Sequence, residues 1–202
     1  MNIYVESNFV LEVALQQEQH EDCDRIIALC TSQTVRVIIP AYSLIEPYET
    51  IIRREKSRKK LTSDFAAEAQ QLLRSKAYQP EADALNGVAR LLMESITETK
   101  RRLDVTIERL LQFVDVIPLT TDIMLSSLRH QDNLGLSPQD ALVYASITSH
   151  IAASDALPSC FLNRNSRDFD EPGITETFTR YECKMLTRFD HSCSYVLSHL
   201  GA

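Results

Sequence analysis

Short apolar, β-branched runs recur along this chain, and helical patterns fill the intervals between them. Asn2-Ile3-Tyr4-Val5, the Val-Arg-Val-Ile-Ile run at 35–39, Val114-Asp115-Val116-Ile117 and Cys160-Phe161-Leu162 each read as a strand. Cys183-Lys184-Met185-Leu186 reads as a fifth. Strands that alternate with helices imply a parallel sheet, because each parallel return needs a crossover that packs on the sheet. The expected fold class is α/β, a three-layer α/β/α sandwich with a central parallel sheet. With four glycines and no Trp in 202 residues, the chain lacks the tight turns of an all-strand sandwich or barrel.

Several helix starts are explicit. Pro40 closes the second strand and suits a first helical position. Ser137-Pro138-Gln139-Asp140 has the form of a capping box, with serine at the N-cap and an acid at N3. Pro47 falls inside the helix predicted over 41–55 and should kink it just after Glu46. A helical pattern covers 61–77. Residues 81–112 carry the longest stripe, with Leu85, Val88, Leu92, Ile96, Thr99, Leu103, Ile107 and Leu110 at spacings of three and four. Such a helix spans roughly 40 Å, more than five-residue strands of ~17 Å would cover. We therefore expect one domain over 1–202, with a helical hairpin inserted at about 56–113. A homodimer or a protein partner is expected on the hairpin's apolar stripe.

The polar residues at the strand ends carry the chemistry. In an open parallel sheet the carboxyl ends of the strands share one edge, and ligands bind in the crevice there. Glu6 follows strand one directly. Glu46 lies on the helix after strand two, among Leu44, Ile45 and Pro47. Asp140 opens a helix, and Asn165 and Asp168 follow strand four. Each has an ordinary explanation as a cap or strand-end polar residue; Asp140 in its capping box and Asn165-Ser166-Arg167-Asp168 as a second box are the clearest cases. Carboxylates that meet without cations raise one another's pKa. A hard divalent cation removes that cost, and carboxylate oxygen is the donor that Mg²⁺ and Mn²⁺ prefer. The spacing thus points to a metal-dependent phosphodiester hydrolase.

Charge is less direct. The net charge is −7, against the usual basic balance of a nucleic-acid binder. Its distribution is uneven: residues 53–60 carry six cations and one anion, Lys100-Arg101-Arg102 form a second cluster, and Arg164 and Arg167 flank the last acidic stretch. Solvated helix faces explain such runs equally well. The five cysteines form no CxxC pair, which speaks against a zinc site and fits a reducing cytoplasm. The chain opens directly on a strand, and no signal peptide or membrane span is expected.

Taken in order, these motifs resemble the PIN-domain proteins, metal-dependent ribonucleases that include many toxins of toxin–antitoxin pairs. The family opens with an apolar strand, an acid, a small residue and asparagine; here Val5-Glu6-Ser7-Asn8. Glu46 matches its second acid and Asp140-Ala141 its third. Asn163-Arg164-Asn165-Ser166-Arg167-Asp168-Phe169 fits its last motif. The likeness covers 1–55 and 114–180 and fails in the helical insertion. It implies a PIN-like endoribonuclease in which Glu6, Glu46, Asp140 and Asp168 are catalytic. Mg²⁺ or Mn²⁺ would be held by Glu6, Glu46, Asp140 and Asn165, and RNA met by Asn8, Arg53, Arg54, Arg164 and Arg167. Glu6 stands where the family has Asp, which moves the carboxylate outward by about one bond length. A weak or silent PIN-like module that binds RNA or protein is the alternative. A response-regulator fold would want a second acid beside Glu6 and is disfavoured.

Overall fold

A computed structural model describes residues 1–154, 158–164 and 169–200. The chain forms two compact units, Met1–Pro47 with Val105–Ala202, and Tyr48–Asp104.

The first unit is built on a five-stranded, all-parallel sheet: β1 Asn2–Val5, β2 Arg36–Pro40, β3 Asp115–Ile117, β4 Ser159–Leu162 and β5 Cys183–Leu186. The five expected strands form, with ends shifted by no more than one residue. Their order is β3-β2-β1-β4-β5. The chain winds outward from β1 to β3, then crosses back to β4 on the other side. The reversal falls between β1 and β4, so the crevice of this sheet lies beyond Val5 and Leu162.

Eight α-helices lie among the described residues: α1 Ser7–Leu15, α2 His20–Thr31, α3 Ala41–Leu72, α4 Ala82–Leu110, α5 Thr121–Leu134, α6 Pro138–Ala153, α7 Pro172–Arg180 and α8 Phe189–Leu200. Tyr4, Ile38, Ile117 and Phe161 on one sheet face join Ile123, Tyr144 and Ile147 of α5 and α6 and Phe178 of α7 in a single core. Phe161 stacks on Phe178 at 5.4 Å and meets Phe169 edge-on. Alternation sends Ile3, Val5 and Val37 to the opposite face, where Phe9 of α1 packs edge-on against Phe189 of α8 at 5.6 Å. Each such side chain, when fully buried, contributes about 1.5–3 kcal/mol. These are the three expected layers. All five cysteines are free and buried, and burial pushes the Cys183 thiol up to about 11.

The helix after β2 is longer than its sequence pattern implied. The stretches 41–55 and 61–77 merge into the single helix α3, which runs on through Pro47. The basic run that separates them is rich in Arg, Lys and Glu, which propagate a helix well, and Lys59 pairs with Glu55 one turn away. Within the second unit, Arg58 of α3 donates to the Ser95 carbonyl and to Thr99 Oγ1 of α4, and Tyr48 donates to Asp104 at 2.7 Å. Leu103 of the α4 stripe is fully buried within the chain, whereas Val88 and Leu91 are exposed. Leu103 therefore does not belong to the apolar surface that the stripe's length would leave uncovered.

At the opposite end of the first unit's sheet, the Tyr4 hydroxyl and Ser154 Oγ both meet His150 Nδ1, at 2.9 and 3.1 Å. Burial, and then the charge of Arg36, hold the His150 pKa below its ordinary value. The neutral ring is the form the fold prefers. Its contribution to stability is complete above about pH 6.5 and is lost as pH falls through the folded-state value. His150→Gln should narrow the gap between urea midpoints at pH 7 and pH 5. Equal gaps in the two proteins would remove His150 from that role.

Candidate metal centre

Val5 ends β1 with its side chain buried on the sheet, and Glu6 then turns out of the strand at the switch point. Its φ of −129° is extended, and Oε2 accepts from the Asn8 N–H at 3.1 Å. Glu6 is thus the N-cap of α1, favoured there by the helix dipole. Asn8 lies one residue inside the helix and supplies the capped N–H. The other Glu6 oxygen, Oε1, is buried with no hydrogen-bond partner. The residue is 7% exposed. Burial, with the negative charges of Glu46 and Asp140 added, raises its carboxyl to about 7, against the lowering effect of Asn8.

Glu46 sits in the second turn of α3, and the Ser7 hydroxyl donates to its Oε2. That bond ties the helix after β2 to the start of α1, one residue beyond Glu6. Asp140 sits at N3 of α6. Ser137 Oγ accepts from the Asp140 N–H at 3.2 Å and donates to its carboxylate at 2.5 Å, so the expected serine cap is present. Asn163 follows β4 directly and is buried, its N–H on the Leu186 carbonyl at 2.9 Å. It lies within the last sequence motif, at the neighbour strand of β1, and is the polar residue there that strand order singles out. Asn165, Arg167 and Asp168 lie outside the described residues.

Arg164 has a different setting from the one its sequence position suggested. It donates to Glu12, a fully buried residue of α1, and also to Gln17 at 3.2 Å and Glu18 at 3.0 Å. Glu12 accepts in addition from the Gln19 N–H at 2.6 Å. The segment leaving β4 is thereby pinned to α1 and the turn after it. Nothing in the spacing of residues 12 and 164 signals this pair, because only the fold brings them together. Arg53 and Arg54 are exposed on the α3 part of the second unit.

An open parallel sheet with buried and half-buried carboxylates at its switch point defines a class of acidic-site α/β proteins. A family model described as PIN domain matches residues 3–169, and the chain belongs to that family, which is of nuclease type. No curated protein matches the chain. PIN domains generally bind divalent metals. The chemistry here suits such an ion: three carboxylates whose charges couple, one with a buried oxygen that lacks a donor. Among the described residues no group of three or more His, Cys, Asp or Glu side chains is closed around a point as ligands. A Mg²⁺-type ion keeps several waters and needs only one or two carboxylates directly. No helix of the described residues is long and apolar enough to cross a membrane.

Proposed function

We propose that this protein is a metal-dependent endoribonuclease that hydrolyses RNA phosphodiesters with Mg²⁺ or Mn²⁺ at the Glu6 site. The observation that carries the reading is the unpartnered, buried Oε1 of Glu6, at the switch point of a PIN-family sheet and within the field of Glu46 and Asp140. A buried acceptor without a donor costs free energy, and a cation would offset it.

Glu6 would hold the ion directly. Glu46 and Asp140 would hold it directly or through its waters, with Asn165 and Asp168 completing the site. The bound ion would lower the pKa of a water and offset charge on the phosphorus oxygens. The protein's own part is to fix the carboxylates: Ser7 orients Glu46, Ser137 orients Asp140, and the α1 cap orients Glu6. Exposed Arg53 and Arg54, with Arg167, would draw in the RNA backbone, and Asn8 would contact it near Glu6. Arg164, already bound to two carboxylates, would serve mainly to hold its own segment. A cytoplasmic location, and a second copy or an antitoxin-like protein against the apolar surface of residues 48–104, belong to the same reading.

Titration of Mn²⁺ by calorimetry tests it. Wild type should bind, and Asp140→Asn should bind roughly tenfold more weakly. Single-stranded RNA should be cleaved with Mn²⁺ and left intact with chelator. The additional methylene of Glu6 favours a second reading, a PIN-like module that binds RNA or protein without cutting. Glu6→Asp should raise cleavage if the site is an intact nuclease with a displaced ligand. Absence of cleavage by both forms, with either metal, would favour the binding module instead.

A further inference from the structure

Two of the three buried, partnerless side-chain atoms among the described residues lie at the same sheet edge. They are Glu6 Oε1 and Ser43 Oγ; Asn2 Oδ1 lies at the other. The β1–β2 register pairs Tyr4 with Ile38. Carried two residues further it sets Glu6 beside Pro40, the last residue of β2. Ser43 is in the first turn of the helix that follows, and it is fully buried.

Helical spacing fixes where Ser43 lies. It is three residues before Glu46, so the two share a face, with Ser43 one turn closer to the sheet. Glu46 is bonded to Ser7, the residue after Glu6. Serine in a helix commonly returns its hydroxyl to the carbonyl one turn earlier, as Thr62, Ser146 and Thr177 do here. Ser43 does not. Pro47 also denies the Ser43 carbonyl the N–H that an uninterrupted helix would supply. A hydroxyl able to donate and a carboxylate oxygen able to accept are therefore both buried and unused at the end of adjacent strands.

We propose that Ser43 is a positioning residue of the metal site, its hydroxyl donating to a water shared with Glu6 Oε1, one of the waters a divalent ion would retain. This rests on the reading of the site as a metal centre. A water commonly satisfies buried polar groups that lack protein partners, and partners one step from a metal commonly set its affinity.

The test is Ser43→Ala, with Ser43→Thr as the variant that keeps a hydroxyl. Mn²⁺ calorimetry should show roughly tenfold weaker binding for Ser43→Ala and recovery in Ser43→Thr. Thermal melting without metal should show Ser43→Ala at least as stable as wild type, since it removes a buried donor without a partner. A lower melting temperature for Ser43→Ala without metal would reveal a structural partner and overturn the proposal. Unchanged Mn²⁺ affinity would overturn it while leaving the metal site standing. No Mn²⁺ binding by wild type would overturn the metal reading and this proposal together.

Discussion

Glu6→Gln should make the metal-free protein more stable at pH 8 and much poorer at binding a divalent ion. Burial raises the Glu6 carboxyl from 4.5 to about 7. A raised acid contributes stability that is complete below its unfolded value and lost as pH rises through the folded one. Above pH 7 the ionised side chain therefore costs the fold about 3 kcal/mol. Glutamine keeps an oxygen for the Asn8 cap and removes the charge. It also buries an amide donor, which offsets part of the gain. A net of roughly 2 kcal/mol raises Tm by about 4–8 °C in a chain of this size. At pH 4 the two proteins should melt together apart from the amide penalty. Millimolar Mn²⁺ should then lift the wild type and leave the variant nearly unmoved, because a ligand stabilises only a state it binds. A lower Tm for Glu6→Gln at pH 8 would mean that the carboxylate already has a cationic partner, and the metal reading would fall with it.

The second large effect concerns Arg164. Its removal leaves the Glu12 carboxylate, fully buried, without its guanidinium. Breaking one side of a buried pair typically costs about 3–5 kcal/mol. The Arg164 side chain is 36% exposed, and solvent screening there places the expected loss for Arg164→Ala at the low end, about 3 kcal/mol. The urea midpoint should fall accordingly. Arg164→Lys should recover only part of it, since one ammonium does not reproduce the fork that reaches Glu12, Gln17 and Glu18 together. Pairing Arg164→Gln with Glu12→Gln should restore much of the loss by removing both charges. An unchanged midpoint in Arg164→Ala would show that the residue is available for RNA, as its sequence position first implied.

The contrast between these two residues shows what a sequence displays. Strand positions were legible because a buried parallel strand must be a short, nearly unbroken apolar run, and Ile3 to Val5 or Cys160 to Leu162 can be little else. Glu6 and Asp140 were legible because a cap and a strand end are local patterns. The length of α3 was not, since Pro47 weighs heavily in a local reading while the Arg, Lys and Glu residues after it carry the helix on. Glu12, Ser43 and Asn163 gain their interest from what lies beside them. Residues 12 and 164 are 152 positions apart, and a hydroxyl's lack of a partner is a property of the packed interior alone.

The order of the strands bears on how the molecule comes into being. β1 precedes in the chain both of its sheet neighbours, β2 and β4, and the first residue of β4, Ser159, pairs with Asn2. Until that late segment leaves the ribosome, one edge of β1 is open and Glu6 has no Asn163 beside its strand. The crevice is therefore complete only once β4 has joined β1. Whatever chemistry it supports is withheld until then.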